Sequence, residues 1–436
     1  MLGVLKVATA DQIQRIGAPR LTCRRTGKDT PARQKQARAA SHTGALSDMR
    51  KHGLTESGGT TSGGETLRNL TIKGLEAASY ELGRPVTEMG STARGAGASG
   101  ATHPMTVNET VIAMLRPKPN LARMTEDPAE VRAAAQAAID APGGIGMIAQ
   151  YWTEVPLPAT GTWSTPGKGG AQADIVLTAP QDRVPLLFIE ADNCHETAEE
   201  LADKLEKYAC FFRRKTKDTD GRERPMWRTR WTVPEARPAE VPHPPVLLVF
   251  NRLGDRNPNR TIPSLMELTH HLWAGERFED HHLYNGKIPI IATRLRNLRE
   301  HGPHGAVFLR FGRDHMQPLR EAIGNPRREA ADTRRRAEQQ AHQRAYKEQQ
   351  RRAAEQQKAE REARRPACTG CGTKLTDDRW KAAQAHPTPG PQWHPTLCDG
   401  CEDQAVEAAS RAENEHQEQE QIPGQKAGGW FSRLRI

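Results

Sequence analysis

The stretch ADIVLTAPQDRVPLLFIEADNCHETAEELADKLEKY, residues 173–208, constrains the fold more than any other part of the chain. Two short apolar runs, rich in β-branched residues and joined by a polar Pro/Gln/Asp/Arg turn, predict a strand pair. Leu201, Leu205, Tyr208 and Phe212 then recur at helical spacing and predict a helix with one buried face. Asp174 opens the first strand, and Glu190 and Asp192 close the second. Side chains alternate across a strand, so Glu190 and Asp192 are expected on one face.

The surrounding pattern extends this unit. PAEVRAAAQAAID and SLMELTHHLW read as helices, and GMIAQYWTEVPLP, PPVLLVF, KIPIIAT and GAVFLRF as strands. Alternating strands and helices over residues 105–325 predict an α/β domain. The insert KTKDTDGRERPMWRTRWTVPEARPAEVPHP is basic and Pro-rich, and reads as a disordered excursion or a hairpin near a DNA face. Upstream, Thr9-Ala10-Asp11-Gln12 is a capping box that opens a helix. A basic helix follows from about Pro31 to Lys51, then a Gly-rich hairpin and a closing helix. This order over residues 1–82 is that of a winged helix-turn-helix, with Arg33, Lys35, Arg38, Arg50 and Lys51 as candidate contacts to double-stranded DNA. A small helical adaptor that binds protein is the other reading. Residues 83–104, rich in Gly, Ala, Ser and Thr, read as a linker. Residues 326–366 contain no Leu, Ile, Val, Phe or Met and predict a solvated charged helix, because no apolar stripe exists to bury. Residues 367–403 form a metal-binding module, and 404–436 a flexible tail ending in GGWFSRLRI.

Hydrolysis of a phosphodiester calls for hard carboxylate ligands and a positive charge near the reacting phosphate. Asp174 and Glu190 stand where a PD-(D/E)xK nuclease fold carries its two acids, and Glu154 on the preceding strand could add a ligand for Mg²⁺ or Mn²⁺. That fold's lysine, two residues after the second acid, is replaced by Asp192. Lys204 on the following helix is the candidate to take over its role, with Lys168 a weaker one. The other reading is that the acids, with Thr197, only cap strand and helix ends.

Cys368-Thr-Gly-Cys371 and Cys398-Asp-Gly-Cys401 are two CxxC knuckles with 26 residues between them. Each can grip one side of a tetrahedral Zn²⁺, and four thiolates fill the shell, so the expected site is structural. His386 and His394 are not needed as ligands. The three remaining cysteines are scattered, which argues against a disulfide framework.

The charge distribution narrows the partners. Residues 1–85 carry 14 Lys/Arg against 7 Asp/Glu, and residues 326–366 carry 13 against 7, so these stretches exceed the whole surplus of +10. Local basic excess suits a phosphate backbone. No apolar run approaches a membrane span and no signal segment is read at the N-terminus, so a cytoplasmic protein is expected. No GxxxxGK[ST], HxH or HExxH occurs, which leaves no phosphate loop for ATP hydrolysis and no zincin motif.

The order winged helix, HPMTVNETVIAML, YWTEVPL, QADIVL, LLFIEADNCHETAEELADKLEKY, VLLVF resembles the replication-relaxation family of actinobacterial plasmids and integrative elements over roughly residues 1–315. His103 and Asn108 stand out only through that resemblance. It implies a nuclease-type core in which Glu-x-Asp replaces Glu-x-Lys, and a role in plasmid replication, relaxation or transfer beside replication or conjugation proteins. The expected protein is thus a multidomain α/β chain: winged helix, PD-(D/E)xK-like domain, charged helix and Cys₄ zinc ribbon. Its expected role is that of a DNA-binding accessory protein of a mobile element. The alternatives are a metal-dependent nickase using Asp174, Glu190 and Lys204, with Asp192 beside them, and a winged-helix transcriptional regulator.

Overall fold

The computed structural model describes residues 1–25, 27–93, 101–217, 220–233, 241–279 and 281–420. They form a mixed α/β structure in two compact units, Met1–Ala331 and Asp332–Ile436.

The first unit begins with α1 (Leu2–Leu5), β1 (Val7–Thr9), α2 (Ala10–Gly17), α3 (Pro31–Lys51), β2 (Thr55–Thr60), β3 (Thr66–Leu70) and α4 (Ile72–Leu82). The Thr9–Gln12 capping box forms and fixes the start of α2. Strand β1, which the sequence does not suggest, pairs with β3 to give a sheet of order β1-β3-β2. Helix α3 buries only Ala39 and Leu46, so most of its surface faces solvent.

Then come α5 (Thr102–Leu115), α6 (Ala129–Asp140), β4 (Tyr151–Leu157), β5 (Ala171–Ala179), β6 (Val184–Asp192) and α7 (Ala198–Arg213). A short hairpin, β7 (Lys215–Lys217) and β8 (Glu223–Pro225), precedes β9 (Val246–Phe250), α8 (Pro258–Leu268) and α9 (His270–Trp273). A second hairpin, β10 (Glu276–Phe278) and β11 (His281–Leu283), leads to β12 (Ile290–Arg294), α10 (Leu295–His301), β13 (Phe308–Arg310), β14 (Met316–Gln317) and α11 (Leu319–Ile323). The main sheet has seven strands in the order β14-β13-β12-β9-β6-β5-β4. Its centre is parallel, β6 to β9 to β12, and its flanks are antiparallel.

Two apolar layers cover the sheet. One holds Phe188, Tyr208, Phe211 and Phe212 with the α7 side. The other joins Ile175, Leu187 and Leu247 to Val107, Val111 and Met114 of α5 and on to Leu2, Leu5, Ile13 and Leu46. The N-terminal module therefore shares a core with the α/β part, and the segments expected as separate domains, 1–82 and 105–325, lie in one compact unit.

Two further expectations are corrected. Residues 84–93, read as part of a linker, are anchored: Arg84 is buried, donates to the carbonyls of Tyr151 and Ala149, and stacks on Trp152. Met89 is also buried. The rest of that stretch, 94–100, lies outside the described residues. The insert after α7 is not an excursion over its described part, because Met226, Trp227 and Trp231 bury in the core.

The second unit holds most of α12 (Pro326–Arg364), then α13 (Asp377–Ala385) and α14 (Asp399–Glu420). Helix α12 buries only Ala331, as a helix without an apolar stripe must. Residues 404–420, expected as loose tail, continue α14, and the GGWFSRLRI end lies outside the described residues. Among the described residues no helix is long and apolar enough to cross a membrane.

Candidate functional site

Three acids stand on three neighbouring strands: Glu154 on β4, Asp174 on β5 and Glu190 on β6. The backbone is reshaped there. Glu154 has φ +54°, a left-handed conformation that costs a non-glycine residue roughly 1–2 kcal/mol. Buried side chains switch layers across this point. Tyr151 packs on the α5 side and Val155 on the α7 side; Ile175 and Ala173 switch likewise. Strand irregularities of this kind re-aim side chains beside functional sites.

Asp174 Oδ1 lies 2.9 Å from His103 Nε2, and its Oδ2 accepts from the Ala191 N–H at 2.8 Å. The bond to Asp174 raises the His103 pKa against the opposing effect of burial. Glu190 is 3% exposed. It accepts a short hydrogen bond from the Tyr208 hydroxyl, and Lys204 Nζ sits 3.4 Å from its other oxygen. Burial, then the neighbouring Asp174 charge, pushes the Glu190 carboxyl up to about 8. Burial lowers the Lys204 ammonium, but Glu190 and Glu196 more than offset this and hold it above the ordinary lysine value. Lys204 also donates to Glu196 at 2.7 Å.

Helix α7 makes this arrangement possible. Thr197 and Glu200 form its capping box, which fixes where the helix starts. Lys204 and Tyr208, four residues apart, then share one face, and both reach Glu190. Asp192 does a different job. Its carboxylate accepts from the Cys194 N–H at 2.9 Å and, with further amides of residues 195 and 196, ties down the turn into α7. Gly254 packs against the same turn so closely that an added Cβ would stand 2.4 Å from the Cys194 carbonyl. Lys168 is exposed in the loop between β4 and β5, so Lys204 is the candidate lysine that meets the acids.

Several partners carry no clear signal in the sequence. Tyr208 reads as one more apolar-face residue, and His103 stands out by resemblance alone, yet both touch the acids from their helices. Buried Lys6, which donates to the carbonyls of Gly3 and Met89, adds a positive charge near Glu154. Burial raises the Glu154 carboxyl, Lys6 lowers it, and Asp174 raises it again.

The candidate DNA contacts divide by environment. Arg33, Arg50 and Lys51 are exposed on α3. Arg33 pairs with Asp29, and Lys51 with Asp48. Lys35 turns toward the hairpin, 2.8 Å from Glu65 and 3.8 Å from Asp11, and Arg38 is half-buried.

In the second unit, Cys368, Cys371, Cys398 and Cys401 bring their sulfurs within 4.8 Å of one another. An added Cβ on Gly370 would stand 3.2 Å from the Cys401 sulfur, so a residue without a side chain closes the knuckle. Arg379 pins the second knuckle by donating to the carbonyls of Leu397 and His394 and to Glu402. The buried apolar core here is small, with Leu375 beside Cys368, and such a module needs a staple. Four cysteine thiolates in this geometry can hold a metal ion such as zinc.

No curated protein and no solved structure gives a significant match to the chain. The family model for replication-relaxation proteins matches residues 1–223, which takes in α1 through β7 and with them Glu154, Asp174, Glu190 and Lys204. A match over just more than half of the sequence, spanning the acids and the helix that brings Lys204 to them, means that the chain belongs to the replication-relaxation family.

Proposed function

We propose that this chain is a DNA-binding accessory protein acting in plasmid replication, relaxation or transfer, and that residues 1–82 grip duplex DNA as a winged helix. The observation that carries the reading is the exposed helix α3 beside the β2–β3 hairpin in a sheet of order β1-β3-β2. In that arrangement α3 enters a major groove and the hairpin touches backbone. Arg33, Arg50 and Lys51 are the phosphate contacts, and Lys35 serves mainly to hold the hairpin against α3. Family membership supports a role in replication or relaxation of DNA. Gel retardation of a duplex tests the reading. Arg33, Arg50 and Lys51 changed together to Ala should weaken binding and flatten its salt dependence. Unchanged affinity would remove α3 from the account.

A second reading, metal-dependent strand cleavage, is favoured by one contact: Lys204 reaches Glu190 and so fills the place left by Asp192. Carboxylate oxygens of Asp174 and Glu190 suit Mg²⁺ or Mn²⁺, with Glu154 alongside. Such an ion, when bound, would polarise the phosphodiester. Lys204 would supply positive charge, and Tyr208 would fix the Glu190 rotamer. Supercoiled plasmid incubated with either ion should be nicked by the native protein and left intact by Asp174→Ala and Lys204→Met. Intact plasmid with native protein would end this reading and leave the binding role standing.

A further inference from the structure

Glu154 also borders a cavity of about 210 Å³ between β4 and the segment after β8. Trp163, Arg230, Glu154 and Pro156 line it, with Thr87 and Ser164 beside them. Trp163 is held in place. Its ring meets Phe211 and Trp231 edge-on at 5.7 Å and 5.5 Å, and its Nε1 donates to Thr229 at 3.0 Å. The Arg230 side chain is 8% exposed. Its Nη2 donates to the Glu88 carbonyl at 3.2 Å, while its Nε is buried without a hydrogen-bond partner among the described residues. A buried guanidinium N–H left unmatched is costly, and a ligand acceptor would satisfy it. The left-handed backbone at Glu154 is the second strained feature at this spot, and it lies on the strand next to that of Asp174.

We propose that this cavity receives one unpaired nucleobase of a DNA strand whose backbone passes the Asp174–Glu190 site. An indole wall, a buried arginine donor and a carboxylate acceptor are what a base needs, since bases stack on aromatic rings and are read by hydrogen bonds along their edges. A paired base, stacked on both faces in a duplex, cannot enter. The inference rests on the DNA-binding reading for its ligand class, and it adds that the second contact is to single-stranded DNA, distinct from the duplex contact of α3.

The test uses the full chain and a single-stranded oligonucleotide carrying 2-aminopurine at successive positions, with duplex retardation measured in parallel. The native protein should change the fluorescence at one position. Trp163→Leu should weaken this binding roughly tenfold, the scale of one lost base–aromatic stack. Ser164→Trp, at an exposed position on the rim, should block the cavity and give the same loss. Duplex retardation should stay as in the native protein for both variants. No fluorescence change with native protein, or native-like single-strand binding by Ser164→Trp, overturns the proposal. Failure of the native protein to retard duplex would instead count against the α3 reading and would leave the fluorescence result to judge the cavity. Trp163→Leu also touches the core, so Ser164→Trp decides if that variant does not fold.

Discussion

Replacing Glu190 with Gln should make the first unit more stable at pH 8 and leave it unchanged near pH 4. The carboxyl is 3% exposed, and burial beside Asp174 raises its pKa from 4.5 to about 8. The folded state therefore holds the proton more tightly than the unfolded chain does. The stability this provides is full below the unfolded value of 4.5 and is lost as pH rises through about 8. Lys204 points the other way, since its raised pKa reflects attraction to an ionised Glu190. Burial decides, because Lys204 is already held by Glu196 at 2.7 Å and lies 3.4 Å from Glu190. A tenfold change in proton affinity corresponds to about 1.4 kcal/mol, so the protonated site is favoured by roughly 4–5 kcal/mol over the ionised one. Gln keeps the acceptor for Tyr208 but sets an amide against the Lys204 ammonium, which takes back part of the gain. A net gain of about 2 kcal/mol at pH 8 is expected. Urea midpoints followed by tryptophan fluorescence at pH 5, 6.5, 8 and 9 check it, and the difference between the two proteins cancels groups common to both. With a slope near 2–3 kcal/mol per molar, the midpoint of Glu190→Gln should lead by roughly 0.7–1 M at pH 8. Midpoints that run parallel from pH 5 to pH 9 would refute the assignment of a buried, proton-holding Glu190.

Other expectations follow from single contacts. Elemental analysis should find about one zinc per chain, and Cys371→Ser should lose it together with the cooperative melting of the second unit; a metal-free native protein with the same melt would refute the site. Arg84→Ala removes two carbonyl contacts and a stack on Trp152, and should cost about 2–4 kcal/mol by urea denaturation. Thr197→Ala removes the α7 capping box and should cost about 1 kcal/mol, with plasmid nicking falling further than stability if α7 places Lys204. The triple change at Arg33, Arg50 and Lys51 should lower the slope of log affinity against log salt by roughly 2–3.

What can be read from residues alone is what periodicity and caps encode. Helix α3 spans Pro31–Lys51 as read, and the strand pair with the α7 helix stands where alternation and helical spacing put it. The four cysteines are legible because a CxxC knuckle carries its geometry in its own spacing. Strand β1 is not legible: three residues are too few to show a period, and its pairing with β3 joins positions about 60 residues apart. The shared core of the N-terminal module and the α/β part is hidden for a similar reason. Its cement includes Asn108 donating to the Val7 carbonyl, and Glu109 placed between Arg15 and Arg299. No local pattern announces such contacts.

The acid site shows where reading by position reaches its limit. The two-residue offset from Glu190 leads to Asp192, and on that offset alone the cationic group looks lost. Strand alternation makes the offset matter only if β6 continues straight, but the chain turns after Asp192 and the carboxylate is taken up by the turn's own amides. A helix that starts at a fixed cap offers a second route to the same point. From Thr197, one turn leads to Leu201 in the core and the next brings Lys204 and Tyr208 round to Glu190. Asp192 and Lys204 are then parts of one arrangement: the aspartate fixes the turn, the turn fixes the cap, and the cap fixes the register that brings the lysine to the glutamate. Changing Asp192 to Lys would therefore not restore a missing charge. It would remove the acceptor that holds the turn, bury a second ammonium near Lys204, and displace the lysine already in place.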